Sequence, residues 1–234
     1  MATELKRLRE TIGVLGDDVA AALGWSQSKV SRVETARIGI NLRDLATLLH
    51  YYGAPLEVHA ELMAATADAE GVPGAWIVQA SGPRHPRAGT QPIGSRATSV
   101  RQYSPLTIPG QLQPAADPSS PSYTLLLDAR VFLSWPGDVS RRQVHALRDR
   151  AQKPGIVVKV IPLGVEQAVT AATPFTIYEF PAAPTVVHVA TQTADLYLSA
   201  ATDVRTYGDV FDRLVADALD ISAPVQGFEP RLGG

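Results

Sequence analysis

Proline is spread unevenly along this chain, and that unevenness most restricts what the chain can build. Nine of its eighteen prolines fall between Pro73 and Pro121, where Gly and Ser are also frequent, as in SGPRHPRAGTQPIG. Proline donates no amide hydrogen bond and fixes its φ angle, so helix interiors and central strands exclude it. Residues 71–121 are therefore expected to form a linker and irregular segment. It separates an N-terminal unit, residues 1–70, from a C-terminal unit, residues 122–228, with a short tail at 229–234. From Gly71 to Ala116 there is no Asp or Glu, whereas Arg84, Arg87, Arg96 and Arg101 are present. A solvated tether is the plainer expectation for such a stretch; a basic arm lying on phosphates or on an acidic partner is the alternative.

Ahead of the prolines the apolar residues recur with a helical period. Leu5, Leu8 and Ile12 make one stripe, Val19, Ala20 and Leu23 a second, Val30 and Val33 a third. Leu42, Leu45, Leu48 and Leu49 make a fourth, with Asn41 suited to cap its start. Pro55 followed by LEVHAELMAATADA predicts a fifth helix with proline at its beginning. Beyond the prolines the period changes. YTLLLD (123–128), IVVKVIP (156–162), PFTIYEF (174–180) and TVVHVAT (185–191) are short β-branched or aromatic runs bounded by Pro and Gly, and LYLS (196–199) is a candidate fifth. DVSRRQVHALRDRAQ, with Val144 and Leu147 as its stripe, lies between the first two and predicts a βαβ crossover. Val210, Leu214 and Leu219 predict a terminal helix. The expected fold is multidomain: an all-α five-helix domain followed by an α/β (or α+β) domain.

Composition removes several function classes. The chain has 234 residues, no cysteine and a formal net charge of −2. Without cysteine there are no disulfides, thiolate metal sites or cysteine nucleophiles, which fits a reducing cytoplasm. MATELKRLRE lacks an apolar h-region, so no signal peptide is expected, and no apolar run is long enough to span a membrane. The five histidines, His50, His59, His85, His145 and His188, show no metal-ligand spacing. His188 reads as a packed or edge histidine. Asp128 and Asp195 stand at strand ends, where caps and turns are the usual role. The aromatic residues of FTIYEF read as core-strand material, and no GxSxG, GxGxxG or Walker loop is present. We therefore expect no catalytic residues, no metal and no cofactor.

Residues 24–35, GWSQSKVSRVET, carry the functional signal. A second helix stopped by Gly24, then Trp25, then a third helix opening at Ser26 makes a helix-turn-helix. Val30 and Val33 pin the inner face of that third helix. Gln27, Ser28, Lys29, Ser31 and Arg32 then lie on the outer one. Amide, hydroxyl and cationic donors on a protruding helix match the edges of base pairs in a DNA major groove. Across residues 1–43 the bases Lys6, Arg7, Arg9, Lys29, Arg32, Arg37 and Arg43 outnumber the acids Glu4, Glu10, Asp17, Asp18 and Glu34 by seven to five. So small an excess implies weak non-specific attachment, with useful affinity coming from a dimer on two half-sites about 34 Å apart.

LKRLRETIG…DVAAALGWSQSKVSRVETARIGINLRDLATLLHYYG resembles the Cro/cI-type, or XRE, helix-turn-helix family over residues 4–53. That resemblance implies that recognition helix 26–35 turns Gln27, Ser28, Lys29, Ser31 and Arg32 toward a double-stranded DNA operator, with Arg37 at the backbone. Where many members open the second helix with Ser or Thr then Gln, this chain has Gly16-Asp17-Asp18. ATSVRQYSPLTIPGQLQP (97–114), PGIVVKVIPLG, PFTIYEFP, VVHVAT and YGDVFDRLVADALD are similar to the actinobacterial antitoxin-like, WhiJ-like regulators. Those members carry a further helix after the segment matching 97–114, whereas this chain runs from Gln113 through PAADPSSPS to a strand. The resemblance implies a transcription regulator whose gene often neighbours a small acidic partner protein, with the C-terminal domain as the docking or signal-receiving surface; we expect a homodimer that is cytoplasmic and nucleoid-associated. Two alternatives stay open: an interaction module that mainly sequesters its partner, and a repressor released by a small molecule.

Overall fold

The computed structural model describes residues 1–79, 82–86, 94, 96–109, 122–133, 137–164 and 173–222, and every structural feature given is a feature of those residues. They group into two compact units. The first comprises Met1–Ser95 with Ala182–Val186 and Ala190–Ala200; the second comprises Arg96–Pro181, Val187–Val189 and Ala201–Gly234. No described helix is long and apolar enough to cross a membrane.

The first unit opens with the five expected helices: α1 (Ala2–Thr11), α2 (Gly16–Leu23), α3 (Gln27–Glu34), α4 (Leu42–Tyr52) and α5 (Leu56–Glu70). Their ends follow the local chemistry. Asp18 accepts a hydrogen bond from the Leu15 amide at 3.2 Å, the Ser26 hydroxyl accepts from Lys29 N at 3.2 Å, and Asn41 Oδ1 accepts from Asp44 N at 2.8 Å. Such side chains satisfy amides that a helix start leaves unpaired. α2 stops at Gly24, whose φ of 65° suits a residue without Cβ. The predicted stripes form the core: Leu5, Leu8, Val19, Ala20, Val30, Val33, Leu45, Leu48 and Leu49 are buried. Ile12, Leu23 and Leu42 lie at its margin.

This unit also holds β1 (Ala75–Gln79), antiparallel to β7 (Ala194–Leu198), with Trp76 opposite Tyr197. Three flat side chains tie the strands to α5. His59 stacks over Trp76 with centroids 6.5 Å apart, and Trp76 over Tyr197 at 5.4 Å.

In the second unit, β2 (Ser99–Ser104), β3 (Ser122–Asp128), α6 (Arg130–Leu133), α7 (Gly137–Ala151), β4 (Ile156–Ile161), β5 (Phe175–Glu179), β6 (Val186–Ala190), α8 (Ala201–Ala216) and β8 (Leu219–Asp220) follow in order. The strands lie in the order β6-β5-β2-β3-β4-β8. β2, β3 and β4 are mutually parallel, β5 is antiparallel to β2, and β8 is antiparallel to β4. The expected βαβ crossover is β3–α7–β4, with Val144 and Leu147 of α7 buried. Leu125, Leu126 and Leu127 of β3 are all 0% exposed. Since successive strand residues point to opposite faces, both faces of the sheet are covered there. Phe211 and Tyr207 of α8 meet Phe175 of β5 edge-on.

Three expectations need correction. Strands β1 and β2 stand inside the stretch 71–121 that proline content marks as irregular, and β2 lies in the middle of its sheet. The prolines bracket these strands instead of interrupting them: 75–79 and 99–104 are proline-free. β7 groups with the helical unit instead of the C-terminal one. The last helix ends at Ala216, and Leu219 pairs as part of β8 with Val160, because Ile221, not Leu219, is the buried residue there. Gln113 and the absent helix after it, Arg87, and the tail 229–234 lie outside the described residues.

His59 makes the first unit sensitive to protons. Its ring is buried and hydrogen-bonded to the backbone at Pro55, while Nε2 has no hydrogen-bond partner among the described residues. Burial is the main cause that holds its pKa down to about 4, below the ordinary 6.5. The unfolded chain therefore takes up this proton first, and stability falls as pH drops from about 6.5 to about 4. Thermal midpoints of the full chain should decline across that window, and His59→Leu should flatten the decline. An equally steep decline in the variant would assign it to another group.

Candidate nucleic-acid interface

The α2–turn–α3 segment is held from behind. Val30 and Val33 are 1% and 3% exposed, while Gln27, Ser28, Ser31 and Arg32 are exposed. At 3.6 residues per turn, Gln27, Ser31, Thr35, Ser28 and Arg32 span an arc of about 140°. Arg37 is exposed in the following turn, whose amide donates to Arg32 O at 2.8 Å. That turn passes through Ala36 at φ 56°, a left-handed conformation unusual for a residue with Cβ.

Lys29 differs from its neighbours. It is half-buried, its Nζ is 2.7 Å from Asp44 Oδ2 on α4, and it lies 3.9 Å over the Trp25 ring. The same Asp44 oxygen accepts from Asn41 Nδ2 at 3.1 Å. Lys29 thus joins α3 to the start of α4, beside the outward face instead of on it.

The strongest anchor of α3 is its one acid. Glu34 is buried and receives Arg9 of α1 in a bidentate pair, Nε to Oε1 at 2.8 Å and Nη2 to Oε2 at 2.9 Å. Arg9 Nη1 also donates to Val14 O at 2.8 Å, and the Tyr52 hydroxyl of α4 donates to Glu34 Oε1 at 3.2 Å. The hydrogen bond to Glu34 raises the Arg9 pKa, and burial followed by the Glu34 charge pushes the Tyr52 phenol up, so both remain donors. Sequence reading counts Glu34 and Arg9 as surface charges. The signal against that is positional, for Glu34 is four residues from Val30 and so falls on the inner arc.

Pairing thins the supply of cations. Lys6, Arg7, Arg9 and Lys29 are matched to Glu10, Glu4, Glu34 and Asp44. Of the seven bases in residues 1–43, this leaves Arg32, Arg37 and Arg43 without an acidic partner among the described residues. In the second unit Arg101, expected in a basic segment, pairs with Glu179 at 2.9 Å and Asp212 at 3.4 Å.

Residues 1–62 match a helix-turn-helix domain. Residues 114–225 match the family described as Domain of unknown function (DUF5753). No curated protein matches the chain. Among solved structures, TrmBL2, an archaeal chromatin protein whose structure is described as showing a novel mode of DNA binding, is similar at 10% identity with a TM-score of 0.32. The likeness covers 62% of this chain and 52% of that one, so the chain spans about half of its length. Similarity that slight leaves fold and function open. The helix-turn-helix domain accordingly stands on its own geometry and on the match over 1–62.

The other sequence-stated candidates take structural places. Asp128, at the end of β3, accepts from the Arg130 amide at 2.8 Å and from its guanidinium. His188 lies 6.5 Å from Tyr178, ring to ring. Among the described residues no three His, Asp or Glu side chains converge as a metal site.

The Arg9–Glu34 pair can be tested on the full chain. Removing one member of a buried pair costs about 3–5 kcal/mol, whereas apolar replacement of both is close to neutral. Arg9→Met should lower stability to urea by that amount, and Arg9→Met with Glu34→Leu and Tyr52→Phe should recover most of it. A combined variant less stable than the single one would reject the assignment.

Proposed function

We propose that the chain is a sequence-specific transcription regulator of the XRE type, with α3 in the major groove of a double-stranded DNA operator. The observation that carries this reading is the division of α3: two valines and a neutralised carboxylate inward, Gln27, Ser28, Ser31 and Arg32 outward. Gln pairs well with adenine N6 and N7, Arg with guanine O6 and N7, and Ser with either base. Arg37 contacts the phosphate backbone. Lys29 contributes when DNA competes with Asp44 for its ammonium. The protein acts as a homodimer, which the small excess of bases across residues 1–43 favours, in the cytoplasm and without catalysis.

A second reading, docking of a small partner protein, has its own support. Leu106, Leu133 and Leu163 are exposed, and all three lie beyond the same end of the parallel strands β2, β3 and β4. Exposed apolar residues gathered at one place mark interaction surfaces.

Operator selection followed by binding assays tests the first reading. Gln27→Ala and Arg32→Ala should each relax preference at one base position, costing about 1–3 kcal/mol there. Arg37→Ala should weaken all sequences alike and reduce the salt slope by about one contact. Unchanged preference in both base-reading variants would contradict the proposed face. Asp44→Asn keeps the hydrogen bonds with Asn41 and releases Lys29. It should strengthen binding to every sequence and steepen the salt dependence by about one charge; an unaltered slope would mean that Lys29 stays away from DNA.

A further inference from the structure

The first unit contains a cavity of about 620 Å³ between α4 and the β1–β7 pair. That volume falls within the range of small-molecule sites, roughly 300–1,000 Å³. Its two walls differ in chemistry. α4 contributes Arg43, Thr47 and His50; the strands contribute Trp76, Ile77 and Leu196. Ile77 is 63% exposed, although it belongs to a strand whose neighbours Trp76 and Val78 are buried. Arg43 is one of the three bases of residues 1–43 without an acidic partner among the described residues.

The rim is anchored to α4 at two points. The His85 amide donates to Tyr51 O at 3.0 Å, with the two rings 5.6 Å apart. His50 is hydrogen-bonded to the backbone at Gly82, and Gly82 and Pro83 complete the lining. Burial first, then the nearby Arg84 charge, lowers the His50 pKa, while Asp195 acts the other way. His50 is therefore neutral near pH 7, and the lasting positive charge among the residues that line the cavity is the guanidinium of Arg43, with Arg84 close to His50.

We infer that this cavity binds a small organic carboxylate, with its apolar body against Ile77 and Leu196 and its carboxylate on Arg43. Ile77, which is exposed to water, and the half-buried Leu196 lose that exposure to the body of the ligand, and a guanidinium with no acidic partner among the described residues gains a charge-assisted, bidentate one. A neutral apolar ligand would leave Arg43 unmatched, and a cation would meet it as a like charge.

The same helix that lines the cavity positions α3. Asp44, next to Arg43, holds Lys29, and Tyr52 at the other end of α4 donates to Glu34. A carboxylate on Arg43 neutralises one of the three bases of residues 1–43 that lack an acidic partner among the described residues, and adds its anion beside Asp44. Occupancy therefore weakens DNA binding, and this regulatory consequence rests on the proposal that α3 reads DNA. Binding itself does not.

Calorimetry on the full chain without DNA separates the two. Indole-3-acetate, phenylacetate and octanoate are the probes, with indole-3-acetamide as the uncharged control. At least one carboxylate should bind saturably at one site per chain, and the amide at least tenfold more weakly than indole-3-acetate. Arg43→Ala and, independently, Ile77→Glu should each weaken binding at least tenfold. Ile77 is exposed, so that variant folds, which circular dichroism and thermal midpoint verify. No saturable binding by any carboxylate, binding that survives both substitutions, or equal binding of the amide would overturn the inference. A bound carboxylate that weakens DNA binding of the wild type, but not of Ile77→Glu, supports the coupling; equal weakening of both overturns it. Failure of the unliganded protein to bind any DNA would sink the regulator reading and leave the cavity assignment standing.

Discussion

A carboxylate sealed at the inner end of α3 governs what that helix can offer. Glu34 could not be buried there alone, because desolvating an unpaired charge is among the costliest events in folding. Arg9 meets it with two parallel hydrogen bonds and Tyr52 adds a third. Those partners come from α1 and α4, so one ion cluster fixes three helices and sets the rotation of α3 about its axis. The valines alone would tolerate some rotation, since apolar contact is non-directional; a bidentate pair does not. The outward aspect of Gln27, Ser31 and Arg32 follows from this inward constraint.

α4 is the element on which the unit turns. One face supplies Leu45, Leu48 and Leu49 to the core. Its first turn holds Lys29 through Asp44, its last turn holds Glu34 through Tyr52, and Arg43, Thr47 and His50 line a cavity. A helix fixed at both ends to α3 cannot shift without changing how α3 sits, because packed interiors transmit displacement instead of absorbing it. Coupling between a filled cavity and α3 thus requires no separate pathway, only a preference of the ligand for one position of α4.

The helices and their ends could be read from sequence because their determinants are local. Ser26, Asn41 and Gly24 lie within a few residues of the groups they satisfy, and the stripes repeat every third or fourth position. The crossover β3–α7–β4 was legible for the same reason. β1 and β2 were not. Each is five or six residues long, set among prolines, and made a strand by partners far away in sequence: Trp76 opposite Tyr197, Val100 between Tyr123 and Tyr178. No local rule contains such pairings. The site was half legible on the same principle. Burial of Val30 and Val33 exposes Gln27 and Arg32 by geometry alone. Lys29, which sequence places with them, is diverted by Asp44, fifteen residues on, and nothing local announces that ion pair.

Pairing also decides how the helical unit could hold a polyanion. Each phosphate contact adds a counterion-release term of about 0.9 to the salt exponent of binding to duplex DNA. With Lys6, Arg7, Arg9 and Lys29 matched internally, Arg32, Arg37 and Arg43 are the bases within residues 1–43 that have no acidic partner among the described residues, and Arg32 is proposed to read a base. So few contacts give a single copy only a shallow electrostatic hold, insufficient to find one operator among many competing sites. Two copies on adjacent half-sites add their contacts and convert the second attachment into an intramolecular one. The charge arrangement of the helical unit thus supports the proposed dimer. α3 would have to keep its outer face open in that dimer, so the pairing surface would lie elsewhere in the protein.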